Sequence, residues 1–148
     1  MPVLTSPIEF EGALVDVLIG FSSTQIGLLR AASKPIPPPI AVRALIDTGA
    51  ESTCFDPAIL RPMNLPLNNV VPANMPAAGG FQLASTYSAG LTILHPSGDP
   101  NRHWVLKTAL LLEMPLGVLG YQGLIGRDVL ALSRLHYDGP ARQFELDY

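Results

Sequence analysis

The segment at residues 44–50 constrains this chain most, because it joins an apolar run to Asp47, Thr48 and Gly49. The run itself, residues 40–46, is short, rich in branched side chains and preceded by prolines, which predicts a β-strand. A strand that stops at Asp-Thr-Gly presents the carboxylate of Asp47 at its end. Gly49 permits a backbone turn that residues with a Cβ atom rarely adopt. The fold must therefore contain a strand whose end holds a tight, carboxylate-bearing turn.

This tripeptide occurs once in the chain. No other aspartate is followed by Thr-Gly or Ser-Gly. A single carboxylate cannot be both the general acid and the general base for one water molecule. If Asp47 is catalytic, the second carboxylate must therefore come from another molecule. Asp and Gly also favour ordinary turns, so a turn without chemistry is the alternative at this position.

A second motif lies late in the chain, where Gly-Leu-Ile-Gly-Arg-Asp at 123–128 opens an apolar helical pattern. Together the two segments resemble the retropepsin-like aspartic proteases, the single-domain, homodimeric relatives of pepsin. That family carries an apolar-apolar-Asp-Thr/Ser-Gly-Ala signature and, later, an apolar-apolar-Gly-Arg-Asp/Asn motif, and the spacing from Asp47 to Gly126 fits. The resemblance is greatest to the small bacterial members. It covers roughly residues 12–148 and is anchored at 44–55 and 123–130.

The resemblance implies a mostly β fold. It predicts a closed β-barrel of the kind that forms one lobe of an acid protease, with one or two short helices. At 148 residues the chain has the size of one domain, and we expect residues 1–148 to form a single one. A pepsin-type enzyme with two fused lobes would be longer and would carry two Asp-Thr-Gly motifs.

Local patterns predict short helices. Residues 22–24, Ser-Ser-Thr, are typical of a helix cap and predict a helix over 25–32. Asp56 followed by Pro57 predicts the start of another helix. The apolar pattern over 128–135 predicts a third.

The chain ends are candidates for an interface. Residues 142–146 alternate as a half-exposed strand does. In dimers of the similar family the chain termini interleave into an interface sheet. Residues 143–148 are the first candidates for that role, and residues 1–10 are the second.

The resemblance also implies a mechanism, in which two copies of Asp47 meet across the two-fold axis of a homodimer. Two carboxylates at hydrogen-bonding distance repel, so the pair holds one proton over a wide pH range. The ionised member accepts a proton from water while the protonated member donates to the scissile carbonyl oxygen. This chemistry needs no cofactor, and the sequence has no nucleophile motif such as Gly-x-Ser-x-Gly.

Residues beside the two motifs receive roles by the same resemblance. Thr48 matches the residue whose hydroxyl crosses the two-fold axis to the other subunit. Gly49 matches the residue whose carbonyl meets the substrate main chain, and Ala50 completes the supporting loop. Leu124 and Ile125 are candidates for lining a substrate pocket, although a core position is an equally good interpretation.

The charged residues near the site are interpreted structurally. Arg127 matches a family arginine that pairs with an acid just after the catalytic loop, and Glu51 is the acid at that place. We therefore predict a Glu51–Arg127 ion pair, with a solvated pair of little energetic value as the alternative. Asp128 is interpreted as the N-cap of the helix that follows it.

The middle of the chain predicts a hairpin. Two strands, at 70–73 and from 82 to 94, flank a Gly-rich turn. In the similar family this region supplies a flap that folds over the substrate, and glycines at the tip would let it open and close. A plain hairpin turn is the alternative. The flap candidates are Ala78, Gly79, Gly80 and Phe81.

The amino-acid composition limits the classes of binding partner that we expect. Apolar residues make up 48% of the chain and charged residues 14%, and a large interface is one cause of such a ratio. The net charge of −3 and the absence of a basic run give no reason to expect nucleic acid. No basic leader precedes an apolar segment, and no apolar run approaches the ~18 residues of a membrane span. We therefore expect no membrane partner.

The cysteine and histidine content bears on disulfides, cellular location and metal binding. One cysteine excludes an intramolecular disulfide, and a reducing cytoplasm is the simplest location. The three histidines stand apart, without the spacing of a metal-binding motif, so we expect no metal site.

Three functional hypotheses remain. The first is an aspartic endopeptidase that is active as a homodimer on peptides or unfolded proteins. The second is a catalytically silent domain of the same fold that serves dimerisation or peptide binding. The third is a β-rich domain without protease activity, in which Asp-Thr-Gly is only a turn.

Overall fold

The computed structural model describes residues 1–76, 79–117 and 119–148. Most of these residues lie in strands, and the helices are short. The strands are β1 (Val3–Pro7), β2 (Leu14–Gly20), β3 (Ile40–Ile46), β4 (Cys54–Phe55), β5 (Leu67–Met75), β6 (Gly80–Ile93), β7 (Trp104–Glu113), β8 (Gly123–Ile125), β9 (Arg134–Asp138) and β10 (Gln143–Asp147). The α-helices are α1 (Ser23–Ala31), α2 (Pro57–Leu60) and α3 (Arg127–Leu130), and 3₁₀ turns cover Arg61–Met63 and Pro100–Arg102.

Six strands close into a barrel in the order β2-β3-β8-β4-β7-β6, because β2 pairs with β6 as well as with β3. The closing register sets Val17 opposite Ile93. β5 stands outside the closed ring and pairs with β6 alone, so these two long strands project as a hairpin. The predicted mostly β fold with a closed barrel is thus confirmed, with three short α-helices in the described residues rather than one or two.

One parallel pairing inside the barrel positions the two sequence motifs. β3 runs parallel to β8, with Leu45 opposite Leu124 and Ile46 opposite Ile125. Parallel neighbours end at the same edge of a sheet. The loop after Ile46 and the loop after Ile125 therefore leave the barrel side by side.

The chain ends form a second sheet, in the order β1-β10-β9. β10 is its central strand, and it is paired along its length with β1 on one side and β9 on the other. Residues 143–147 are thus fully engaged within one chain. Our expectation that they interleave with a second chain is not met in this structure, since neither edge of β10 is open.

The two sheets share one hydrophobic core. Leu4, Phe144 and Leu146 from the terminal sheet belong to the same buried cluster as the barrel side chains. Alternation along each strand explains this cluster, because every second side chain of β2, β6 and β10 faces inward. Its fully buried large members include Ile19, Phe55, Leu60, Leu91, Ile93, Leu111 and Ile125.

The helix starts follow the local rules. Ser22 caps α1 in a capping box with Gln25, since each side chain bonds the other residue's main-chain N–H. Asp56 caps α2 through Ala58 N, with Pro57 in the first turn. No helix in the described ranges has the length and apolar character that crossing a membrane requires.

The third predicted helix is shorter than the sequence pattern suggests. Helix α3 ends at Leu130, whereas the pattern predicts helix to Leu135. A turn follows, and the chain is already extended in β9 from Arg134. The reason is tertiary, because pairing with β10 draws these residues into the sheet.

Candidate active site

Asp47 lies directly beyond the end of β3, in a tight turn. Its main-chain N–H donates to Ile125 O at 3.0 Å, which ties the turn to β8. Its carboxylate Oδ1 accepts a hydrogen bond from Gly49 N at 2.8 Å, and its carbonyl accepts one from Ala50 N at 3.2 Å. The side chain is half-buried, so one oxygen is held by the turn while the carboxylate still reaches the surface.

The tip of the turn is exposed. Thr48 and Gly49 are both open to solvent. A Cβ atom on Gly49 would lie 3.1 Å from Asp47 Oδ1, closer than most real contacts of this type. Gly49 thus lets the turn fold back onto the carboxylate, and the tip remains free to meet another molecule.

The neighbouring loop has room for glycine alone at position 126. A Cβ atom there would lie 2.5 Å from Ser52 C and 2.9 Å from Thr53 N, both main-chain atoms. Gly126 N instead donates to Thr53 Oγ1 at 3.0 Å. The segment after the Asp47 turn therefore packs directly against the start of α3.

Asp128 fixes the contact between the start of α3 and the segment that follows the Asp47 turn. Its carboxylate accepts hydrogen bonds from Thr53 N at 3.0 and 3.1 Å and from Thr53 Oγ1 at 2.7 Å. Val129 N donates to the same carboxylate at 2.8 Å. The N-cap of α3 is Gly126, so the interpretation of Asp128 as the cap is wrong. Its carboxylate braces a loop that is 75 residues away in sequence.

Thr53 belongs to the candidate site, although no sequence motif indicates it. It is fully buried, and its hydroxyl accepts from Gly126 N while donating to Asp128. A threonine six residues after a catalytic candidate is unremarkable by itself. The pairing of β4 with β8 brings Thr53, which directly precedes β4, to the second motif.

Arg127 also contacts the turn, but through a different group than predicted. Its Nη1 donates to Thr48 O at 2.9 Å, and its main-chain N–H donates to Ala50 O at 2.8 Å. The predicted Glu51–Arg127 ion pair is not among the ion pairs of the described residues. Glu51 is exposed and meets this loop through its carbonyl, which accepts from Asp128 N at 3.3 Å. The guanidinium turns to Thr48 O because main-chain pairing sets α3 beside the turn.

A cleft of about 630 Å³ lies between the turn and the β5–β6 hairpin. The loop after Asp47 forms one wall, and Leu112 and Met114 at the end of β7 contribute apolar surface. Phe81 from the hairpin lines the cleft and is 77% exposed. The other lining residues are Gly49, Ala50, Glu51, Ser52, Val71, Pro72, Ala73, Asn74, Pro76 and Arg127.

The end of the hairpin contains backbone that favours glycine. Gly79 and Gly80 have φ angles of +95° and +108°, and Met75 pairs with Gly80 across the two strands. The flap candidates Gly79, Gly80 and Phe81 thus lie at the projecting end of the hairpin. Ala78, the fourth candidate, lies outside the described residues.

The two pocket candidates do not line this cleft. Ile125 is fully buried in the main core, and Leu124 packs against the smaller cluster around Cys54 and Met75. The reason is topological, because β8 lies in the barrel wall between β3 and β4. Leu112 and Phe81 supply apolar cleft surface instead.

A polar cluster around the buried Glu113 supports the base of the hairpin. Glu113 is buried, and its Oε1 accepts from Arg61 Nε at 2.7 Å while its Oε2 accepts from Tyr87 Oη at 2.8 Å. Tyr87 lies opposite Leu67, where the hairpin begins. Burial, together with the bond to Glu113, raises the pKa of the Tyr87 phenol. This cluster joins the 3₁₀ turn, β7 and β6, and so fixes the angle at which the hairpin leaves the barrel.

Metal-binding groups are not assembled in the described residues, where no three His, Cys, Asp or Glu side chains lie close enough to hold an ion. His95 is buried and has a structural environment, with Nδ1 2.7 Å from Ser97 Oγ and Nε2 3.0 Å from Val3 O. It therefore fastens the turn after β6 to β1.

The whole arrangement is similar to solved structures. A retropepsin-like aspartic protease from Rickettsia conorii matches with a TM-score of 0.54 and 11% sequence identity, over 99% of this chain and 90% of that one. The EIAV protease complexed with the inhibitor HBY-793 matches with a TM-score of 0.41 and 20% identity, over 80% of this chain and 85% of that one. No protein-family model and no curated protein matches the sequence. The first likeness extends over almost the whole chain, and the chain has the retropepsin-like fold.

Replacing Asp128 with Asn tests the bracing of the site. The amide keeps one acceptor oxygen but presents an NH₂ group to donors that a carboxylate now satisfies. We expect the free energy of unfolding to fall by about 1–3 kcal/mol, measured by urea denaturation. Asp99→Asn is the matched control, because Asp99 caps an exposed turn and Asn caps equally well. Equal destabilisation by both variants would contradict the bracing role.

Cys54 gives a second test. Burial raises the pKa of its thiol to about 12, so very little thiolate exists at neutral pH. We expect the folded protein to resist alkylation by iodoacetamide near pH 8 and to react once it is unfolded in urea. Mass spectrometry of both samples measures this, and rapid labelling of the folded chain would show that the environment of Cys54 is more open than described.

Proposed function

We propose that this protein is an aspartic endopeptidase that acts as a homodimer, and that residues 1–148 of each subunit form a single domain. The observation that supports this most directly is the placement of Asp47. Its carboxylate lies on a tight turn whose next residues, Gly49 and Ala50, line a cleft beside the long β5–β6 hairpin. The retropepsin-like fold supports the same function, and the peptide bond of an extended chain is the proposed substrate.

The number of carboxylates at the turn requires a second subunit. Asp47 is the one acidic residue whose side chain belongs to the turn itself, and Glu51 is exposed beyond it. Hydrolysis by direct attack of water needs a base and an acid at once. We infer that an identical turn supplies the other carboxylate, and that the exposed tip at Thr48 and Gly49 is where the two turns meet.

The two carboxylates of the pair would hold one proton between them. Two close anions repel strongly, so the pair retains one proton. This proton belongs to the pair and not to either copy of Asp47. The ionised copy accepts a proton from the bound water as its oxygen attacks the carbonyl carbon. The protonated copy donates to the carbonyl oxygen, which leaves a neutral tetrahedral diol. No bond forms between the enzyme and the substrate.

The remaining parts of the site have positioning roles in this proposal. Arg127 holds the turn through Thr48 O, and Thr53 fixes the start of α3 through Asp128, so the carboxylate does not drift when the substrate binds. The hairpin end, with Gly79 and Gly80, acts as a flap that closes over the peptide and excludes water. The apolar surface at Leu112 and Phe81 favours apolar side chains near the cleaved bond. A cytoplasmic location agrees with a single cysteine that is free and buried.

Asp47→Asn is the direct test of catalysis. The amide is isosteric and its oxygen can still accept from Gly49 N, so the fold should be preserved. We expect cleavage of an unstructured peptide or denatured protein to fall by about 10³-fold or more. The Asp99→Asn variant should retain full activity, since Asp99 lies in an exposed turn remote from the cleft.

The possible outcomes separate the hypotheses. Cleavage that survives in Asp47→Asn would reject the proposed function. If neither form cleaves any substrate between about pH 3 and 8, where carboxylates and histidines titrate, yet both bind peptide, the chain is a silent domain of the same fold.

Dilution tests the homodimer. Because the site forms only when two subunits associate, activity per chain should fall as the total concentration drops below the dimer dissociation constant. Sedimentation velocity at the same concentrations measures the association. A chain that sediments as a monomer at every concentration while its specific activity stays constant would contradict the shared site.

A further inference from the structure

A mostly apolar groove runs along the outside of the barrel, and we call it the outer groove. It lies between the outer face of β2, β6 and β7 on one side and α1 with residues 33–39 on the other, and its volume is about 260 Å³. Pro39 lines it, and β3 then runs about 20 Å from Ile40 to the Asp47 turn. The outer groove is therefore separate from the candidate active site.

The floor of the outer groove is a row of side chains that strand alternation turns away from the core. Leu18 on β2 lies opposite Thr92 on β6, and Thr92 lies opposite Val105 on β7. The chain neighbours of Leu18 and of Thr92 are fully buried, so these two side chains face outward. Val105 is 56% exposed. The barrel thus presents an apolar strip with one hydroxyl group to the outside.

The opposite wall approaches this strip closely and is apolar as well. A Cβ atom at Gly90 would lie 2.8 Å from Phe21 O, so glycine lets the start of α1 come close to β6. Ile26 of the helix and Ile36 and Pro37 of the loop after it complete the wall. Proline has a fixed φ and no N–H, which makes the loop rigid and removes donors. No side chain in α1, which the structure describes in full, is buried, so the helix leaves the groove unfilled.

Lys107 is the one charged residue that lines the outer groove in the described part of the chain. The register of β6 and β7 shifts between Ala89 and Leu91, so that Lys107 and Thr108 together stand opposite Gly90. A bulge of this kind redirects side chains. Lys107 is exposed, and the ion pairs of the described residues do not include it. Its ammonium group is therefore available to an anion at the rim of the groove.

Shape and charge together define the ligand. An apolar groove with a cation at its rim matches an apolar chain that ends in an anion. A peptide would bury main-chain amides here, where Ser23 and Thr92 supply the only side-chain hydroxyls among the described lining residues. A group of the size of water takes about 30 Å³ of a liquid, so the groove holds about nine such groups.

We propose that the outer groove binds a free medium-chain fatty acid of about eight carbons, with its carboxylate on Lys107. The alkyl chain lies on Leu18 and Val105, beneath the prolines of the loop. Binding is non-covalent, and the rigid loop keeps the groove open before the ligand arrives. This inference goes beyond the proposed function and does not depend on it.

Calorimetric titration of octanoate into the full chain tests the proposal. We expect one site per chain. Hexanoate should bind about tenfold more weakly, because each of the two missing methylenes contributes about fourfold to the affinity. Lys107→Met keeps the apolar stem and removes the charge. It should weaken octanoate about fivefold and leave the affinity for 1-octanol unchanged.

Val105→Asp tests the floor of the groove. It sets a carboxylate beside the alkyl chain, so we expect the affinity for octanoate to fall at least about tenfold. Leu110→Asp is the matched control on the same strand, since Leu110 is 50% exposed and does not line the groove. Its affinity should stay within about twofold of the original. Circular dichroism verifies folding, and if Val105→Asp unfolds, Ile36→Asp in the exposed loop decides instead.

Hydrogen exchange locates the bound octanoate. A ligand that packs against α1 should slow the exchange of the amides in Ser23–Ala31, because the helix has no buried side chain to hold it otherwise. The amides of β9 and β10, which do not line the groove, serve as the internal reference. Protection confined to another part of the chain would contradict the outer groove as the site.

The outcomes distinguish this inference from the proposed function. Saturable binding that Val105→Asp loses and Leu110→Asp keeps supports the site. Equal affinity in the original, Val105→Asp and Lys107→Met, or no saturable binding of octanoate, overturns it. An acidic peptide with apolar residues that binds where octanoate does not also overturns it, and assigns the groove to a protein partner. Asp47→Asn should bind octanoate unchanged, so loss of cleavage leaves this inference standing.

Discussion

The hydroxyl of Thr53, held between Gly126 and Asp128, is the interaction on which the arrangement of the site depends. It is fully buried, accepts from one loop and donates to a carboxylate on the next. A buried hydroxyl without partners would be costly, and here both of its functions are satisfied by the second motif. The segment after the Asp47 turn and the start of α3 therefore behave as one unit. That unit fixes where the carboxylate of Asp47 emerges.

The barrel makes this contact possible. The parallel pairing of β3 with β8 releases both loops at the same edge, and β5 and β6 form a hairpin beside the barrel that β2 and β6 close. The cluster of Glu113, Arg61 and Tyr87 sets the hairpin base. The cleft thus lies where the loop after β3, the loop after β8 and the β5–β6 hairpin come together. The Asp47 turn beside it holds one carboxylate of its own, which is why the proposed chemistry needs two subunits.

Features set by neighbouring residues could be predicted from the sequence. The caps at Ser22 and Asp56, the strand before Asp47 and the hairpin follow from short-range geometry. The closed barrel followed from the resemblance of two motifs. Features set by distant residues could not be predicted. The bond between Thr53 and Asp128 joins positions 75 residues apart, and no periodicity reports it.

The errors have the same origin. Arg127 binds Thr48 O rather than Glu51 because main-chain pairing sets the direction of α3. Helix α3 stops early because β10 recruits the residues that follow. Of the two interpretations of Ile125, the structure agrees with the core position, because β8 lies between β3 and β4 in the barrel wall and Ile125 is buried there.

The enclosure of β10 by its own chain separates two events that an interleaved terminal sheet would merge. Each subunit can complete its hydrophobic layer alone, because the neighbours of β10 are supplied in cis. Folding can then be a unimolecular process, and the proposed homodimer would form from finished subunits. If the proposed homodimer is the active form, a chain that folds alone would stay inactive until it meets a second copy.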